Sequence, residues 1–349
     1  MKRRGEDGLQ PIASILSQED IAPARAHKAK GGLKKPGEEG LQAIGAIMRQ
    51  AGIAPPSAHK LRLIDAAATI AAGEDDREIA YHHTVFCQTA LPYRRVEDRI
   101  WERNNGFLSL SIEAGRAMHP ETHKWVDLPL PFGPKARLIQ IHLDTQAKLH
   151  DKPMIELEGS MTSFIKQLQG RAPNGPELRK FKDQAAAVAG ALFRFAAVKN
   201  DRTFQIDAKI VSGFELWYPR DERQRVLFPS FVRLSDEYFS TLREHAVPLD
   251  HRAVAAMQHN ALMLDIYKWL AQRLCRVPAN RPAFIVWPLV QAQFGQGYTR
   301  IRAFRSVFIK ALKAVVTQYP GAKVEADGRG LKLYRSRPPI LPKEMKGIA

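Results

Sequence analysis

The chain alternates between stretches whose apolar residues keep helical spacing and short apolar runs of strand character. The clearest helical face is Leu178, Phe181, Ala185, Val188, Leu192 and Phe195, which steps by three and four in alternation and predicts one helix over about 175–197. Asn174 as N-cap, Pro176 in the first turn and Glu177 three residues after the cap form a capping-box start. Upstream, the pattern predicts a helix over Pro134–Leu149, a short strand over Met154–Leu157 and a short helix over Ser160–Leu168 with Ser160 as its N-cap. Downstream lie two strand-rich runs, Thr203–Phe214 and Arg225–Leu234, joined by the polar Pro219–Arg223.

The same order then recurs. Asp250 is placed to cap a long helix ending near Arg276, apolar on nearly all sides at Val254, Met257, Leu264, Ile266, Trp269, Leu270 and Leu274. A strand follows over Phe284–Trp287, then a short helix over Pro288–Phe294 and the turn Gly295-Gln296-Gly297-Tyr298. Thr299 is placed to cap a helix reaching about Gln318, with Ile301, Phe304, Phe308, Ala311 and Val315 on its apolar face. Lys323–Ala326, the turn Asp327-Gly328-Arg329-Gly330 and Leu331–Arg335 read as a hairpin, Asp-Gly being a strong turn signal. Helix, strand, helix, turn, helix, hairpin is the order of a winged helix-turn-helix. The predicted fold is therefore α+β and helix-rich, with tandem winged helix-turn-helix domains at 75–249 and 250–337, a flexible N-terminal arm at 1–74 and a tail at 338–349.

Residues 61–133 are less regular, with a helix over Leu61–Ala72, an acidic turn at Glu74-Asp75-Asp76 and a strand-like run over Gly106–Ala114. Pro129, Pro131 and Pro134 mark a boundary. The arm holds a duplication at a constant offset of 32 residues: Gly5-Glu6-Asp7-Gly8-Leu9-Gln10 returns as Gly37-Glu38-Glu39-Gly40-Leu41-Gln42, and Ile21-Ala22-Pro23 returns as Ile53-Ala54-Pro55. Each copy carries one short helical stripe (Leu9, Ile12, Leu16; then Leu41, Ile44, Met48). Two such turns bury no core, so the arm reads either as a tether or as a duplicated docking peptide.

Charge sharpens this picture. The 349 residues carry 53 Lys+Arg against 36 Asp+Glu, a net charge of +17. By segment, 1–60 carries +4, 61–133 carries −3, 134–200 carries +5, 201–250 carries −2, 251–290 carries +4 and 291–337 carries +8. In the last of these only Glu325 and Asp327 are acidic, which points to a phosphate-facing surface. With Ile301, Phe304 and Phe308 turned to the core, Arg302, Arg305, Lys310 and Lys313 fall within an arc of roughly 140°. Arg300 lies at the helix start, where such modules reach base edges, and Gln296, Tyr298 and Thr299 stand at the helix mouth as DNA-contact candidates. Arg329, Lys332 and Arg335 would flank the duplex as a wing. The first domain offers Arg171, Arg179, Lys180 and Lys182 around its equivalent helix start, diluted by Glu177 and Asp183. Phosphate clamping, dimer formation and base reading are all open for it.

Enzymatic readings find little support. No Gly-x-x-x-x-Gly-Lys-Ser/Thr motif is present, so there is no P-loop. His82 and His83 would point to opposite faces of a strand, as surface or capping residues, and His142 lacks the His-apolar-His pair that a rolling-circle nickase uses. His245, His251 and His259 lack ligand spacing, while Cys87 and Cys275 read as core thiols. No cofactor and no metal is expected. The longest apolar stretch, Ala283–Val290, is too short to span a membrane, and the basic Met1–Arg4 is followed by no apolar signal segment, so a cytoplasmic protein is expected.

Several stretches carry a resemblance. They are Tyr81-His82-His83-Thr84-Val85-Phe86-Cys87-Gln88-Thr89-Ala90-Leu91-Pro92, Arg103-Asn104-Asn105-Gly106, Val211-Ser212-Gly213-Phe214-Glu215-Leu216-Trp217-Tyr218-Pro219 and Asp221-Glu222-Arg223-Gln224-Arg225. They continue through His245-Ala246-Val247-Pro248-Leu249-Asp250, Trp269-Leu270-Ala271-Gln272-Arg273-Leu274, Phe294-Gly295-Gln296-Gly297-Tyr298 and Glu325-Ala326-Asp327-Gly328-Arg329-Gly330-Leu331. Across about 75–336 the chain resembles the plasmid replication initiators of the RepA type. The resemblance implies a non-enzymatic protein that binds direct repeats in double-stranded DNA at a plasmid origin. A host replication initiator, helicase and polymerase then do the ATP-driven work. It also implies binding to repeats as a monomer and repression of its own gene as a homodimer. A winged-helix transcription regulator with no role in replication is the alternative.

Overall fold

The computed structural model describes residues 58–72, 78–104, 108–119, 122–199, 202–208, 210–217 and 228–340. Nearly all of the duplicated arm, the acidic turn at 74–76, the joining segment Pro219–Arg223 and nearly all of the tail lie outside the described residues.

Helix α1 (Ala58–Ala72) is followed by β1 (Ile79–His83), α2 (Thr84–Gln88), β2 (Ile100–Asn104), β3 (Leu108–Glu113) and the hairpin β4 (Arg116–Met118) with β5 (Trp125–Asp127). A first unit then runs α3 (Gly133–His150), β6 (Met154–Glu156), α4 (Glu158–Gln169), α5 (Gly175–Gly190), β7 (Leu192–Lys199), β8 (Arg202–Ala208), β9 (Val211–Trp217) and β10 (Phe228–Leu234). After α6 (Asp236–His245), β11 (Ala246–Asp250) and α7 (His251–Ala256) comes a second: α8 (Ala261–Arg273), β12 (Ala283–Val286), α9 (Trp287–Phe294), α10 (Ile301–Gln318), β13 (Val324–Ala326) and β14 (Gly330–Leu333). In each unit a strand precedes the second helix and pairs in one sheet with two strands that come after the third, β9 and β10 in the first unit and β13 and β14 in the second. The sheets share one antiparallel order with the last strand central, β6-β10-β9 and β12-β14-β13. The repeat read from element order is thus also a repeat of strand pairing.

Three boundaries depart from the sequence reading. The helix expected to 197 ends at Gly190. A Cβ on Gly115 would lie 1.9 Å from the Gly190 carbonyl oxygen, so two glycines meet there. Beyond them Phe193 and Phe195 are buried while Arg194 between them is not, an alternation of period two that makes β7 a strand between β3 and β8. The expected Asp250–Arg276 helix is broken in two. Asp250 caps α7 by accepting from the Arg252 N–H, and Asn260 caps α8 by accepting from the Met263 N–H. Finally, α4 starts at Glu158, ahead of Ser160, so Ser160 is not its cap.

The two units share one continuous buried cluster, which extends from Leu63 to Leu333. At their junction Arg137 of α3 and Asp265 of α8 are fully buried. Arg137 Nε and Nη2 donate to the two Asp265 carboxylate oxygens at 2.8 and 2.7 Å. Its remaining N–H groups serve the carbonyls of Leu91, Pro92 and Gly133 at 2.7, 3.2 and 2.8 Å. Lys268 Nζ adds a contact of 3.0 Å to Asp265. All five guanidinium donors are satisfied, which is the condition under which a buried ion pair is tolerated. Around this pair Arg103 Nη2 donates to the Gln291 carbonyl, Gln293 Nε2 to the Gln88 carbonyl and the Tyr93 N–H to Gln296 Oε1. Helix α1 closes the far side, where Gln318 Nε2 of α10 donates to the Leu63 carbonyl at 2.7 Å.

A second buried cluster ties the β1–β11 pair to the first unit. Asp144 of α3 accepts from the Tyr238 hydroxyl at 2.8 Å and the His83 N–H at 2.9 Å, and contacts His82 Nδ1 at 2.7 Å. His83 also caps α2, its Nδ1 accepting from the Val85 N–H. Both histidines are buried, so the expected surface placement is corrected, though the capping role is met by His83. Burial pushes Asp144 up to about 6 and lowers His82 well below the usual range, His83 to about 4 and His142 to about 3.

Two predictions follow from this packing. Replacing Asp265 by Ala strands two buried cations and is expected to cost about 3–5 kcal/mol in urea unfolding; a loss under 1 kcal/mol would contradict the central role of the pair. The second concerns pH. A histidine depressed in the folded state stabilises above its unfolded value and loses that stability as pH falls, whereas the raised Asp144 works in the opposite sense. With the depressed histidines outweighing the raised Asp144, the urea midpoint should fall from pH 6.5 to 4, and His142→Phe, which keeps a ring against Phe164, should flatten that slope. An unchanged slope would show that His142 does not contribute.

Candidate nucleic-acid interface

The third helix of the second unit, α10, presents two chemically distinct faces. Phe304, Phe308, Ala311, Leu312 and Val315 are buried, and Phe294, Phe304 and Phe308 pack ring to ring with centroids 5.4–5.5 Å apart. On the opposite side Arg302, Lys310 and Lys313 are all exposed, as the arc calculation requires. No acidic residue occurs anywhere in α10.

The helix start differs from the expectation. Arg300, not Thr299, occupies the N-cap position, with no side-chain cap bond, and both residues are exposed. The first-turn N–H groups therefore lack a side-chain acceptor at a helix end flanked by Arg300 and Arg302, an arrangement suited to an anion. The preceding turn depends on Gly297, whose φ of +79° disfavours any residue with a Cβ.

Two candidates at this mouth also make internal contacts. The Gln296 side chain is engaged by the Tyr93 N–H across the unit junction. The half-buried Tyr298 packs edge-on against Phe304 at 5.7 Å, and its carbonyl accepts from Gln291 Nε2.

The wing is tied to the helix by Arg305. Its Nη1 donates to the Gly328 carbonyl at 3.2 Å and its guanidinium lies 5.8 Å from the Trp287 ring centroid. Within the turn, Asp327 Oδ1 accepts from the N–H groups of Arg329 and Gly330 at 2.7 and 2.9 Å, which holds its carboxyl below the usual carboxylate range. Arg329 is exposed over the Phe284 ring, Arg335 is exposed, and the half-buried Lys332 lies in β14 between Phe284 and Glu325. One helix face and one hairpin thus form a single basic surface.

The first unit is weaker. Asn174 and Glu177 make the expected capping box, but Arg171 forms a bidentate pair with Glu177 at 2.9 and 2.7 Å, which holds that carboxyl down to about 2. Arg179 and Lys180 are exposed and Lys182 is half-buried. Sequence reading missed Lys135, whose ammonium lies 5.2 Å from the Phe181 ring centroid and whose charge is disfavoured by burial and then by Lys180. It stands some forty residues away in the chain, and no spacing rule links it to α5.

Other chemistry is sparse. Burial pushes the Cys87 thiol up to about 12, which leaves it unreactive. Among the described residues no group of three His, Cys, Asp or Glu side chains is placed to hold a metal ion, and no helix is long and apolar enough to cross a membrane.

Taken together, these features define a basic protein with one continuous face of exposed cations on α10 and its hairpin. Residues 131–288, just under half of the chain, match the family model described as "Plasmid encoded RepA protein". It covers the first unit and the start of the second, and ends ahead of α10 and the wing. No curated protein matches the chain significantly. Among solved structures, the selenomethionine crystal structure of domains 2 and 3 of RctB is similar with a TM-score of 0.46 and 9% identity, over 73% of this chain and 99% of that one. A second RctB structure, of residues 155–483, gives 0.43 and 10%, over 71% and 94%. Likenesses at that level carry nothing about this chain beyond their description.

For the basic face, the salt dependence of DNA binding gives a count. Each of Arg302→Ala, Lys310→Ala and Lys313→Ala is expected to reduce the slope of log K against log salt by ~0.9 if that cation meets a phosphate. An unchanged slope in all three would remove this face from the interface.

Proposed function

We propose that the protein is a plasmid replication initiator, which binds direct repeats of an origin through two winged helix-turn-helix modules and hands the opened origin to host replication proteins. It is a non-enzymatic, double-stranded-DNA-binding protein in this reading. The observation that carries it is the acid-free helix α10, with Arg302, Lys310 and Lys313 opposite its phenylalanine core and Arg305 fastening the wing, on a chain whose residues 131–288 match the RepA family model.

The role of each part follows from its chemistry. Arg300 and Arg302 lie where bidentate hydrogen bonds to guanine are made, while Lys310 and Lys313 act as phosphate point charges. Arg179, Lys180 and Lys182 anchor the first module on the neighbouring groove, and Arg171 has to exchange Glu177 for a phosphate to join them. Because the modules share one core, their two third helices meet the duplex at a fixed spacing and phase. Repression of the protein's own gene as a homodimer belongs to the same reading.

Two experiments test it. Arg302→Ala combined with Arg305→Ala should abolish retention of the origin repeat in a gel shift and stop plasmid maintenance while leaving the thermal midpoint nearly unchanged. Intact binding by that variant would overturn the site. Separately, a marker plasmid carrying only this gene and its flanking DNA should replicate in a host lacking DNA polymerase I. Failure to replicate, with repeat binding intact, would make the protein a transcription regulator instead.

A further inference from the structure

The hairpin β4–β5 is absorbed by none of the roles above. It stands outside both sheets that complete the modules, and β4 and β5 pair only with each other. Its inner face is sealed: Ala117 is 4% exposed and clusters with Leu128 and with Ala186 of α5, with Phe214 of β9 packed against them. Gly115 at its base lies so close to Gly190 at the end of α5 that a Cβ on it would clash with the Gly190 carbonyl, and a Cβ on Gly190 would strike the Leu128 side chain. The hairpin is therefore seated on the third helix and the wing strand of the first module, the two parts through which such a module meets DNA.

Its outer face has the opposite character. Met118 and Trp125 are directly paired across the strands, and they are 42% and 57% exposed. A tryptophan more than half in water is an unusual way to spend the largest apolar side chain, and two neighbouring exposed apolar residues mark a contact surface rather than scatter. Beside them Arg99 and Arg116 share the single carboxylate of Asp127 at 3.2 and 3.0 Å, so that one of the two cations is uncompensated. Lys124 is exposed at the tip, where His123 holds a left-handed φ of +53°, and Glu121 is the only other acid of the hairpin sequence. An exposed apolar pair framed by excess Arg and Lys, and mounted on a groove-reading helix, complements the sugar–base edge of a duplex between two phosphate rows.

We propose that this hairpin is a second wing of the first module, which lies against the minor groove flanking that module's half of the repeat, with Trp125 and Met118 as an apolar wedge and Arg116 and Lys124 on the phosphates. Apolar side chains so placed press between base steps and are sensitive to the width and stacking of the groove. The wedge supplies what the weakly charged first helix lacks, because Arg171 is already paired with Glu177. The inference rests on the DNA-binding reading above.

The test is a fluorescence-anisotropy titration of the full-length protein with a labelled duplex carrying one origin repeat, located by footprinting the DNA beside the gene. Trp125→Ala should weaken binding about tenfold, with Trp125→Phe within about threefold of wild type and the salt slope unchanged in both, because the lost contact is apolar. Trimming the duplex on the first module's flank should erase the difference between Trp125→Ala and wild type. The thermal midpoint of Trp125→Ala should match wild type, and Met118→Gln gives an independent variant should it not. Equal affinity of Trp125→Ala and Met118→Gln with wild type, while Arg302→Ala with Arg305→Ala still loses the duplex, overturns the second wing alone. A wild-type protein that binds no repeat overturns the reading beneath it. A defect confined to single-stranded DNA of the same sequence also overturns the proposal, since it would make Trp125 a base-stacking platform.

Discussion

Everything the protein presents to a partner depends on a charge pair that no partner touches. Arg137 and Asp265 come from the first helices of two different modules, more than a hundred residues apart in the chain, and they meet with neither exposed to water. A buried ion pair is weak evidence for stability, because desolvation offsets most of its attraction. Its value lies in geometry: a guanidinium with five fixed donors fits one arrangement of carboxylate and carbonyls, and two of its acceptors, Leu91 and Pro92, lie in the segment joining β1 to α3. The pair thus fixes how α3 lies on α8, and through their cores where α5 and α10 stand. Two tandem modules that would otherwise be joined only by a linker become one body.

This coupling explains why residues near the basic face of α10 are used for internal contacts. Gln296, at the mouth of α10, is held by Tyr93 from the bridging segment, and Gln291 and Gln293 of α9 face Arg103 and Gln88. A helix-turn-helix whose second helix is anchored in this way places its third helix with little freedom. The exposed cations of α10 are then presented by a rigid support, which is what sequence-specific contact requires and general electrostatic affinity does not.

How much of this was legible in the sequence divides along physical lines. The element order of both modules and the basic face of α10 were readable, because amphipathic spacing and a lack of acids are local properties. The strand β7 was not: Leu192 and Phe195 continue the three-four rhythm of α5 by coincidence, and only the meeting of Gly190 with Gly115 ends the helix. The single Asp250–Arg276 helix failed for a related reason, since apolar residues on all sides hide the break at which Asn260 starts a new cap. The buried Arg137, Asp265 and Lys268 were invisible, as their partners are far away in the chain and their residue types predict exposure. The internal contacts of Gln296 and Tyr298 were not legible, because position beside a helix start says nothing about which way a side chain is already engaged.

The central claim is that one rigid body places two third helices on one face of a duplex, with Arg302 and its neighbours in direct contact. Hydroxyl-radical footprinting of the full-length protein on the DNA flanking its gene tests it most directly. The account predicts two protected segments about one helical turn apart on the same face of each repeat, with Arg302→Ala and Arg305→Ala clearing one of them. Protection of a single segment, or protection unaffected by those substitutions, would contradict it.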